Sequence, residues 1–176
     1  MDYLKNISGT INFEKKILLL ILITSSIILL AAIIIGQLMN APPCELCIYQ
    51  RIPYVIIIIL VLINFNRSFN PILNIKTICF ISSLLFLSSS TIAIYHVGVE
   101  KGFFQTSCAP NQPQSFSLEE IQKAIHSPIT PSCNNIPIEL FGISMAGYNF
   151  ITSLFCACIL LLISSNNNLW KKNAKK

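Results

Sequence analysis

The sequence predicts an all-α membrane protein built as a bundle of four transmembrane helices. Hydrophobic residues make up 53% of the 176 residues and charged residues only 11%. The apolar residues also come in long blocks instead of the spaced pattern of soluble amphipathic helices. All but the second of these blocks are near the length that a helix needs to cross a hydrocarbon core of about 30 Å. The expected spans are residues 17–36, 48–65, 75–95 and 138–163 of a single integral membrane domain, residues 1–176.

The first span is an uninterrupted run of apolar and small residues from Ile17 to Ile35. Lys15 and Lys16 precede it, as basic residues precede a cleaved signal peptide, which is the alternative interpretation of this region. The run is too long for the hydrophobic core of a signal peptide, and no small-residue cleavage pattern follows it. We therefore expect it to cross the membrane.

The second apolar block, Ile52–Phe65, is short for a crossing. It becomes long enough only if the helix begins near Cys47 or Ile48, which carries Arg51 to the membrane edge. Pro53 leaves the local geometry open, because a proline either kinks this turn or marks the true start of the helix. The two later spans carry no charge except at their ends.

The basic residues fall mostly on one side of the predicted bundle. With four spans, the N-terminus, the loop after the second span and the C-terminal tail share one side. They hold nine of the twelve Lys and Arg residues: Lys5, Lys15, Lys16, Arg67, Lys76, Lys171, Lys172, Lys175 and Lys176. The positive-inside rule then makes both termini cytoplasmic and turns the outer loops 37–47 and 96–137 outward. This topology, with a basic tail near anionic lipid, explains the net charge of +5 without nucleic acid binding.

The seven cysteines divide between the spans and the outer loops. Three lie within spans, where buried thiols behave as small hydrophobes: Cys79, Cys156 and Cys158. The outer loops hold the other four: Cys44, Cys47, Cys108 and Cys133. In an oxidising compartment these four would form disulfides. Their spacing leaves the connectivity open, because four cysteines allow three pairings.

Cys44 and Cys47 form a CxxC motif that indicates redox chemistry. A two-residue spacer closes so small a loop that a disulfide there removes little chain entropy, which makes it a poor structural staple. Cys108 and Cys133, in contrast, could staple the long outer loop. Zinc binding by all four cysteines is a further possibility. The wide spacing of the second pair and the oxidising outer compartment argue against zinc.

The residues around the CxxC motif favour a thiolate. Pro42 and Pro43 cannot continue a preceding helix, so both thiols lie near the N-terminus of the second span, where the helix dipole favours an anion. Arg51 follows Cys47 by four residues and shares its face if the helix is regular. We therefore expect a thiolate at Cys47. The alternative role for Arg51 is that of an interfacial residue that reaches for the headgroups.

The long outer loop is expected to carry a short amphipathic helix on the membrane surface. Residues 117–120 have the pattern of a capping box, and the apolar residues that follow recur on one helical face. Stretches rich in Pro and Asn flank this segment and would act as mobile arms for Cys108 and Cys133. His126, in the same loop, is expected to be a solvated surface residue.

Taken together, these motifs resemble the DsbB family of disulfide bond formation proteins. The resemblance runs from about Gln37 through the fourth span. It rests on the segments Pro43–Arg51 (PCELCIYQR), Tyr95–Glu100 (YHVGVE) and Leu140–Gly147 (LFGISMAG) and on Cys108 and Cys133. Gln50 stands where some relatives carry an acid, a difference that we expect to matter little.

The resemblance implies a membrane oxidoreductase of the bacterial inner membrane whose active cysteines face the periplasm. Such an enzyme reoxidises a DsbA-like, thioredoxin-fold dithiol oxidase and passes the electrons to membrane quinone, either ubiquinone or menaquinone. The partner's thiolate would attack Cys108, and Cys133 would pass the reducing equivalents to Cys44. Cys47 would then be released as a thiolate beside the quinone, which takes two electrons and two protons.

The resemblance also assigns two residues to quinone binding. Arg51 matches the family's quinone-site arginine, and His96 falls near its quinone-proximal histidine. From the residues alone, His96 lies where the third span leaves the membrane. That position suits an interfacial hydrogen-bonding histidine as well as one that contacts a polar cofactor headgroup.

Two other classes of protein remain open. An enzyme like vitamin K epoxide reductase also builds a four-helix bundle around a CxxC motif and a quinone, but its motif is expected late in the chain. Here the motif opens the second span. A non-enzymatic tetraspan adaptor or small transporter, stapled by disulfides, needs no charged pathway inside its spans, and the sequence has none. Only the CxxC motif with Arg51 argues against such an adaptor.

Overall fold

The computed structural model describes residues 2–40, 43–66, 73–104, 133 and 139–166. Within these residues the backbone forms four long helices and one short hairpin. The elements are α1 (Asp2–Leu38), α2 (Glu45–Asn66), α3 (Ile75–Glu100), β1 (Glu139–Leu140), β2 (Ile143–Ser144) and α4 (Met145–Ser165). All four helices contain a stretch long and apolar enough to cross a membrane, which confirms the predicted four-helix membrane fold. The expected amphipathic helix of the outer loop lies outside the described residues.

Helix α3 occupies the centre of the bundle. It packs most extensively against α4 and also against α2, while α1 packs on α2. The core between them is apolar: Ile17, Leu18, Ile21, Tyr54, Ile57, Val61, Ile75, Ile78, Cys79, Phe86, Ala157 and Leu160. Phe86 and Tyr54 meet edge to face there, with ring centroids 5.6 Å apart.

Large apolar side chains also cover the outside of the bundle. Leu20 is 63% exposed, Phe155 65% and Leu162 69%. A surface of this kind and extent is unfavourable in water but is well solvated by lipid tails. The outer faces of the helices are therefore suited to the hydrocarbon core of a bilayer.

Small residues hold α3 and α4 close together. Ala93 of α3 and Ser153 and Ala157 of α4 are fully buried, and small side chains let two helix backbones approach within a membrane. The hydroxyl of Ser90 donates to the backbone carbonyl of Phe150 across this contact at 3.4 Å. Ser90 thus links the two helices, while the hydroxyl of Ser153 donates to carbonyls of its own helix.

Helix α2 begins before the position expected from hydropathy. Its first residue is Glu45, and the amide of Ile48 donates to the carbonyl of Cys44 at 3.1 Å. The expected start at residue 48 was therefore about one turn late, because polar residues of the first turn lower the hydropathy without breaking the helix. Pro53 lies inside the helix, which continues to Asn66.

Helix α4 begins at Met145 and not at residue 138 as expected. Residues 139–144 form a tight antiparallel hairpin, in which Glu139 pairs with Ser144 and Leu140 with Ile143. The two turn residues, Phe141 and Gly142, have φ values of 52° and 76°. Positive φ at both positions is typical of the type I′ turn that commonly closes a two-residue hairpin. The Ser144 hydroxyl then caps α4 by accepting from the amide of Gly147.

Candidate functional site

The start of α2 presents the sulfur of Cys44 at the helix N-terminus. The backbone amide of Cys47 donates to this sulfur at 3.3 Å, so Cys44 occupies the place of a capping side chain. The two sulfurs lie 2.6 Å apart, and both residues are free cysteines. Cys44 is only 6% exposed, while Cys47 is half-buried.

These contacts favour the thiolate of Cys44. The hydrogen bond from the Cys47 thiol is the largest cause that lowers the pKa of Cys44, and it outweighs burial, which raises it. A hydrogen bond from His96 and the Cys47 backbone amide lower it further, and the pKa falls from 9.0 to about 4. In this pair Cys47 keeps its proton and donates to Cys44, so the expectation of a thiolate at Cys47 is wrong for the state described. It stays a prediction for the state in which Cys44 is itself bonded to another sulfur.

Cys133 brings a disulfide to the same place. Its sulfur is disulfide-bonded, and the residue is 1% exposed. The Cys44 sulfur, the Cys133 sulfur and a ring nitrogen of His96 all lie within 4.8 Å of one another. Because the Cys133 sulfur is held in a disulfide, it does not offer the thiolate that zinc takes as a ligand. The arrangement is suited to thiol–disulfide exchange.

An apolar cluster encloses these sulfurs. Val99 of α3 is 1% exposed and packs with Cys44 and Cys133, and Leu46 and Cys47 pack against them. Such surroundings keep water from the sulfurs and strengthen the hydrogen bonds that reach them. The hydrogen bonds described above therefore carry much of the stabilisation of charge at Cys44.

His96 lies beneath the sulfurs with both ring nitrogens in contact. Its Nε2 is 3.7 Å from the Cys44 sulfur and 3.7 Å from a carboxylate oxygen of Glu100. Its Nδ1 is 2.9 Å from the side-chain amide nitrogen of Gln50. The ring is 4% exposed and Gln50 is 6% exposed, so this contact is made out of water.

The hydrogen bonds continue from Gln50 into the bundle. The amide nitrogen of Asn149 donates to Gln50 Oε1 at 2.8 Å, and the hydroxyl of Tyr54 donates to Asn149 Oδ1 at 2.5 Å. Ser89 donates to the backbone carbonyl of Gln50 at 3.1 Å and accepts from the Asn149 amide at 3.4 Å. A buried polar network thus joins α2, α3 and α4 to the redox sulfurs.

Arg51 reaches toward a different neighbour. Its guanidinium donates to the backbone carbonyl of Ala32 in α1 at 3.2 Å. The side chain is half-buried, and Ile48 and Ile52 beside it on α2 are exposed. A charged, planar donor group therefore lies next to an apolar surface at the junction of α1 and α2.

The end of α3 fixes the point where the outer loop departs. Gly102 has a φ of 75°, its amide donates to Val99, and the amide of Phe103 donates back to the carbonyl of Gly98 at 2.8 Å, as in the Schellman motif. The Phe104 ring stacks on Tyr95 with centroids 5.3 Å apart. A Cβ on Gly98 would come within 2.4 Å of that ring.

Of the residues singled out from the sequence, the structure brings four together: Cys44, Cys47, His96 and Cys133. Arg51 lies one turn after Cys47 and contacts α1, and Cys108 lies outside the described residues. Gln50 and Asn149 were missed as site residues. Their signal in the sequence is that each is an amide inside an otherwise apolar span, where polar side chains tend to be functional.

Comparison with known proteins identifies relatives of this chain. The model of the family described as "Disulfide bond formation protein DsbB" matches residues 14–163. An uncharacterised protein of Rickettsia prowazekii (strain Madrid E) is 34% identical over 134 residues, which cover 74% of this chain and 74% of that protein. No solved structure matches.

Proposed function

Because the chain belongs to the DsbB family of disulfide bond formation proteins, we propose that it reoxidises a periplasmic, DsbA-like dithiol oxidase and passes the electrons to membrane quinone. Family membership and the four apolar helices make it a multi-pass membrane oxidoreductase that acts in disulfide bond formation. The non-enzymatic adaptor has no support from these relatives. The DsbA-like partner, the quinone acceptor and the orientation in the inner membrane are the parts that we propose.

One observation carries the proposal. A disulfide at Cys133 lies within 4.8 Å of the Cys44 sulfur, which is itself 2.6 Å from the sulfur of Cys47. Thiol–disulfide exchange needs a thiolate beside a disulfide sulfur, and both are present in one enclosed cluster. Electrons can therefore pass between the outer loop and the CxxC motif with little movement of the sulfurs.

We propose the following sequence of exchanges. The other described cysteines are free thiols, so Cys108 is the proposed partner of Cys133. A thiolate of the reduced partner protein attacks Cys108 and frees Cys133. The Cys133 thiolate attacks Cys44 of an oxidised CxxC motif and releases Cys47 as a thiolate. Each exchange forms one S–S bond and breaks another.

The loop disulfide is then restored. The second partner thiolate attacks the partner's own first sulfur in the mixed disulfide, so the partner's disulfide forms and Cys108 leaves as a thiolate. That thiolate attacks Cys133, so the Cys108–Cys133 bond re-forms and Cys44 leaves as a thiolate. The CxxC motif is now reduced and holds the two electrons taken from the partner.

The residues near Cys47 fit a quinone. Arg51 offers donors that suit a quinone carbonyl oxygen, since a guanidinium carries five N–H groups. The exposed Ile48 and Ile52 beside it offer a surface for an apolar tail. A bound quinone would supply the acceptor for two electrons and two protons. Arg51 would orient the ring and support a thiolate at Cys47, four residues earlier on the helix.

A reconstituted assay tests the proposal. Purified protein in lipid nanodiscs is mixed with a reduced DsbA-like protein and a short-chain quinone, and quinone reduction is followed by absorbance. We expect reduction that depends on the dithiol partner and disappears in Cys44→Ser. Oxidation of the partner that continues without any quinone, under anaerobic conditions, would contradict the proposed acceptor.

The direction of the relay is tested by trapping. In Cys133→Ser no internal thiol remains to resolve the complex at Cys108, so we expect a mixed disulfide between Cys108 and the partner protein. Non-reducing gels and mass spectrometry of the cross-linked peptides identify it. If trapping requires Cys108→Ser instead, the two loop cysteines have the reverse roles.

A further inference from the structure

The contacts of His96 raise the question of which ring nitrogen carries its proton. A neutral imidazole has one N–H and one acceptor nitrogen, and the neighbours of each nitrogen select the tautomer. Here Nδ1 faces the side-chain amide of Gln50 at 2.9 Å, and Nε2 faces the Cys44 sulfur at 3.7 Å. The orientation of the Gln50 amide therefore determines what His96 can do for the sulfur.

Ser89 determines the orientation of the amides. Its one hydroxyl hydrogen is donated to the backbone carbonyl of Gln50, so its oxygen can only accept from Asn149. The NH2 group of Asn149 must then face Ser89 and, at 2.8 Å, the oxygen of the Gln50 amide. The side-chain oxygen of Asn149 then faces Tyr54, whose hydroxyl donates to it. Turning either amide would set two donors or two acceptors against each other.

With its oxygen toward Asn149, Gln50 presents its NH2 group to His96. An NH2 group only donates, so Nδ1 accepts and carries no hydrogen. The ring proton of the neutral histidine is then on Nε2, which faces the Cys44 sulfur and the carboxylate of Glu100. The donors run in one direction, from Tyr54 through Asn149, Gln50 and His96 to the sulfur.

We propose that Gln50 is a positioning residue that holds His96 as its Nε2–H tautomer, so that His96 donates to Cys44 when this sulfur leaves as a thiolate. The proposal rests on the function proposed above and deepens it at one step. In that step the Cys108 thiolate attacks Cys133, and the electron pair of the broken Cys44–Cys133 bond stays on Cys44. No proton is transferred, because His96 keeps its proton and only donates a hydrogen bond. A better stabilised leaving thiolate leaves faster.

A carboxylate in place of Gln50 would reverse the arrangement. Both of its oxygens accept, so it draws the ring proton to Nδ1 and leaves Nε2 as an acceptor that no longer donates to Cys44. Gln50→Glu has nearly the same shape as the parent side chain. It is therefore a sharper test than truncation. Gln50→Leu is the second variant, since it removes the amide donor at Nδ1 without imposing the other tautomer.

The first measurement is the ¹⁵N spectrum of the histidine ring in the full-length, reduced protein in nanodiscs. His126→Gln in all samples leaves His96 as the only labelled ring. We expect Nε2 protonated in the parent, Nδ1 protonated in Gln50→Glu and a mixture in Gln50→Leu. Asn64→Leu removes another buried amide of α2, which bonds Leu60 and Leu73, and should leave the spectrum unchanged.

The second measurement is the balance between two disulfide isomers in a Cys47→Ser background. Mass spectrometry of alkylated peptides gives the ratio of the Cys108–Cys133 form, with Cys44 free, to the Cys44–Cys133 form. We expect Gln50→Glu and Gln50→Leu to lower this ratio roughly tenfold, near the lower end of what a hydrogen bond to a charged group contributes. Asn64→Leu should not change it.

The two proposals fail in different ways. A parent spectrum with Nδ1 protonated, or Gln50 variants with an unchanged tautomer and isomer ratio, would overturn the positioning role even if the protein oxidises its partner. Absence of dithiol-dependent quinone reduction in the parent would overturn the proposed function instead. Neither the spectrum nor the isomer ratio requires quinone or partner protein. Each negative result therefore points to one of the two proposals and not to the other.

Discussion

At the scale of single residues, Cys44 takes its character from the groups directed at its sulfur. A backbone amide at the start of α2, the Cys47 thiol and His96 all lie within hydrogen-bonding reach. Each of these donors favours the charged form, and together they outweigh burial. The reactive form of this thiol therefore does not depend on an alkaline medium.

Alkylation as a function of pH tests this stabilisation. Because the pKa of Cys44 is lowered to about 4, its thiolate persists as the pH falls and is lost only near that value. We expect iodoacetamide to modify Cys44 of the reduced protein in denaturant only at alkaline pH, and in the folded protein down to about pH 4. Peptide mapping gives the two profiles; restricted access of the reagent to the sulfur slows the reaction at every pH and does not move the midpoint. A folded-state midpoint near 9 would contradict the prediction.

Arg51 is expected to act on the quinone half-reaction. We expect Arg51→Leu to weaken quinone reduction at least tenfold while exchange with the partner dithiol changes little, because the guanidinium lies beside Cys47 and not at the outer loop. Arg51→Lys keeps the charge but not the planar donor group and should be intermediate. Single-turnover measurements separate the two halves. Equal losses of rate in both half-reactions would contradict a role for Arg51 at the quinone site.

The redox-active residue types could be read from the sequence, but their polar surroundings could not. A CxxC spacing, a nearby arginine and outer cysteines carry chemistry that is visible without a fold. Gln50 and Asn149 are 99 residues apart, and an amide gains a specific role only when packing gives it a partner. Gln50 has its partners His96 and Asn149 on two other helices, so no local pattern in the sequence points to them.

At the scale of elements, helix ends determine where the reactive groups lie. The start of α2 carries the CxxC motif, and the end of α3 carries His96, Val99 and Glu100. Hydropathy predicted the helices well, because lipid requires long apolar segments. It missed their ends by several residues, at Glu45 and at Met145, since capping and the β-hairpin depend on local hydrogen bonds.

Gly98 is expected to control how the outer loop leaves α3. In Gly98→Ala the new methyl group would meet the Phe104 ring, which must leave its stack on Tyr95. We expect a loss of about 1–3 kcal/mol in the free energy of unfolding, as for overpacking, and slower exchange between Cys133 and Cys44. Thermal unfolding and rapid-quench mapping of disulfides measure these effects.

The double variant Gly98→Ala with Phe104→Ala provides the matched control. Removing the ring removes the steric conflict. Phe104→Ala should therefore lower the free energy of unfolding much less in the Gly98→Ala background than in the parent. A double-mutant cycle measures this coupling. Additive losses would mean that the two residues act independently.

At the scale of the whole molecule, the fold separates two kinds of cysteine. The sulfurs of Cys44 and Cys133 lie together in one cluster, while Cys79 belongs to the apolar core and Cys156 and Cys158 lie within α4. For the cysteines that the structure describes, this agrees with the sorting made from hydropathy alone. Which face of the membrane each group meets is a proposal that rests on the distribution of basic residues.

A variant with Cys79, Cys156 and Cys158 all changed to Ala tests this separation. Thiols inside apolar spans stay protonated and out of reach of the exchanging loop, so we expect turnover to be largely retained. The cost in stability should be of order 1 kcal/mol per site. Loss of disulfide-forming activity in a folded, membrane-inserted variant would reveal an intramembrane thiol relay.

Labelling of intact cells tests the proposed orientation. A membrane-impermeant maleimide applied from the periplasm should modify Cys44, Cys47, Cys108 and Cys133 after reduction and mild unfolding of the outer loop, and none of the three span cysteines. A cysteine introduced in the C-terminal tail should react only after the inner membrane is permeabilised. Labelling of that tail from outside would reverse the topology.

The burial of Cys44 and Cys133, at 6% and 1% exposure, affects which thiols can exchange with them. Burial hinders a freely diffusing thiol from approaching either sulfur along the line that exchange requires. If the chain passes electrons to quinone as proposed, this burial slows their entry from small reductants in the surrounding medium. We therefore expect the enclosure to act as insulation against leakage, with a protein that engages the outer loop as the faster donor of electrons.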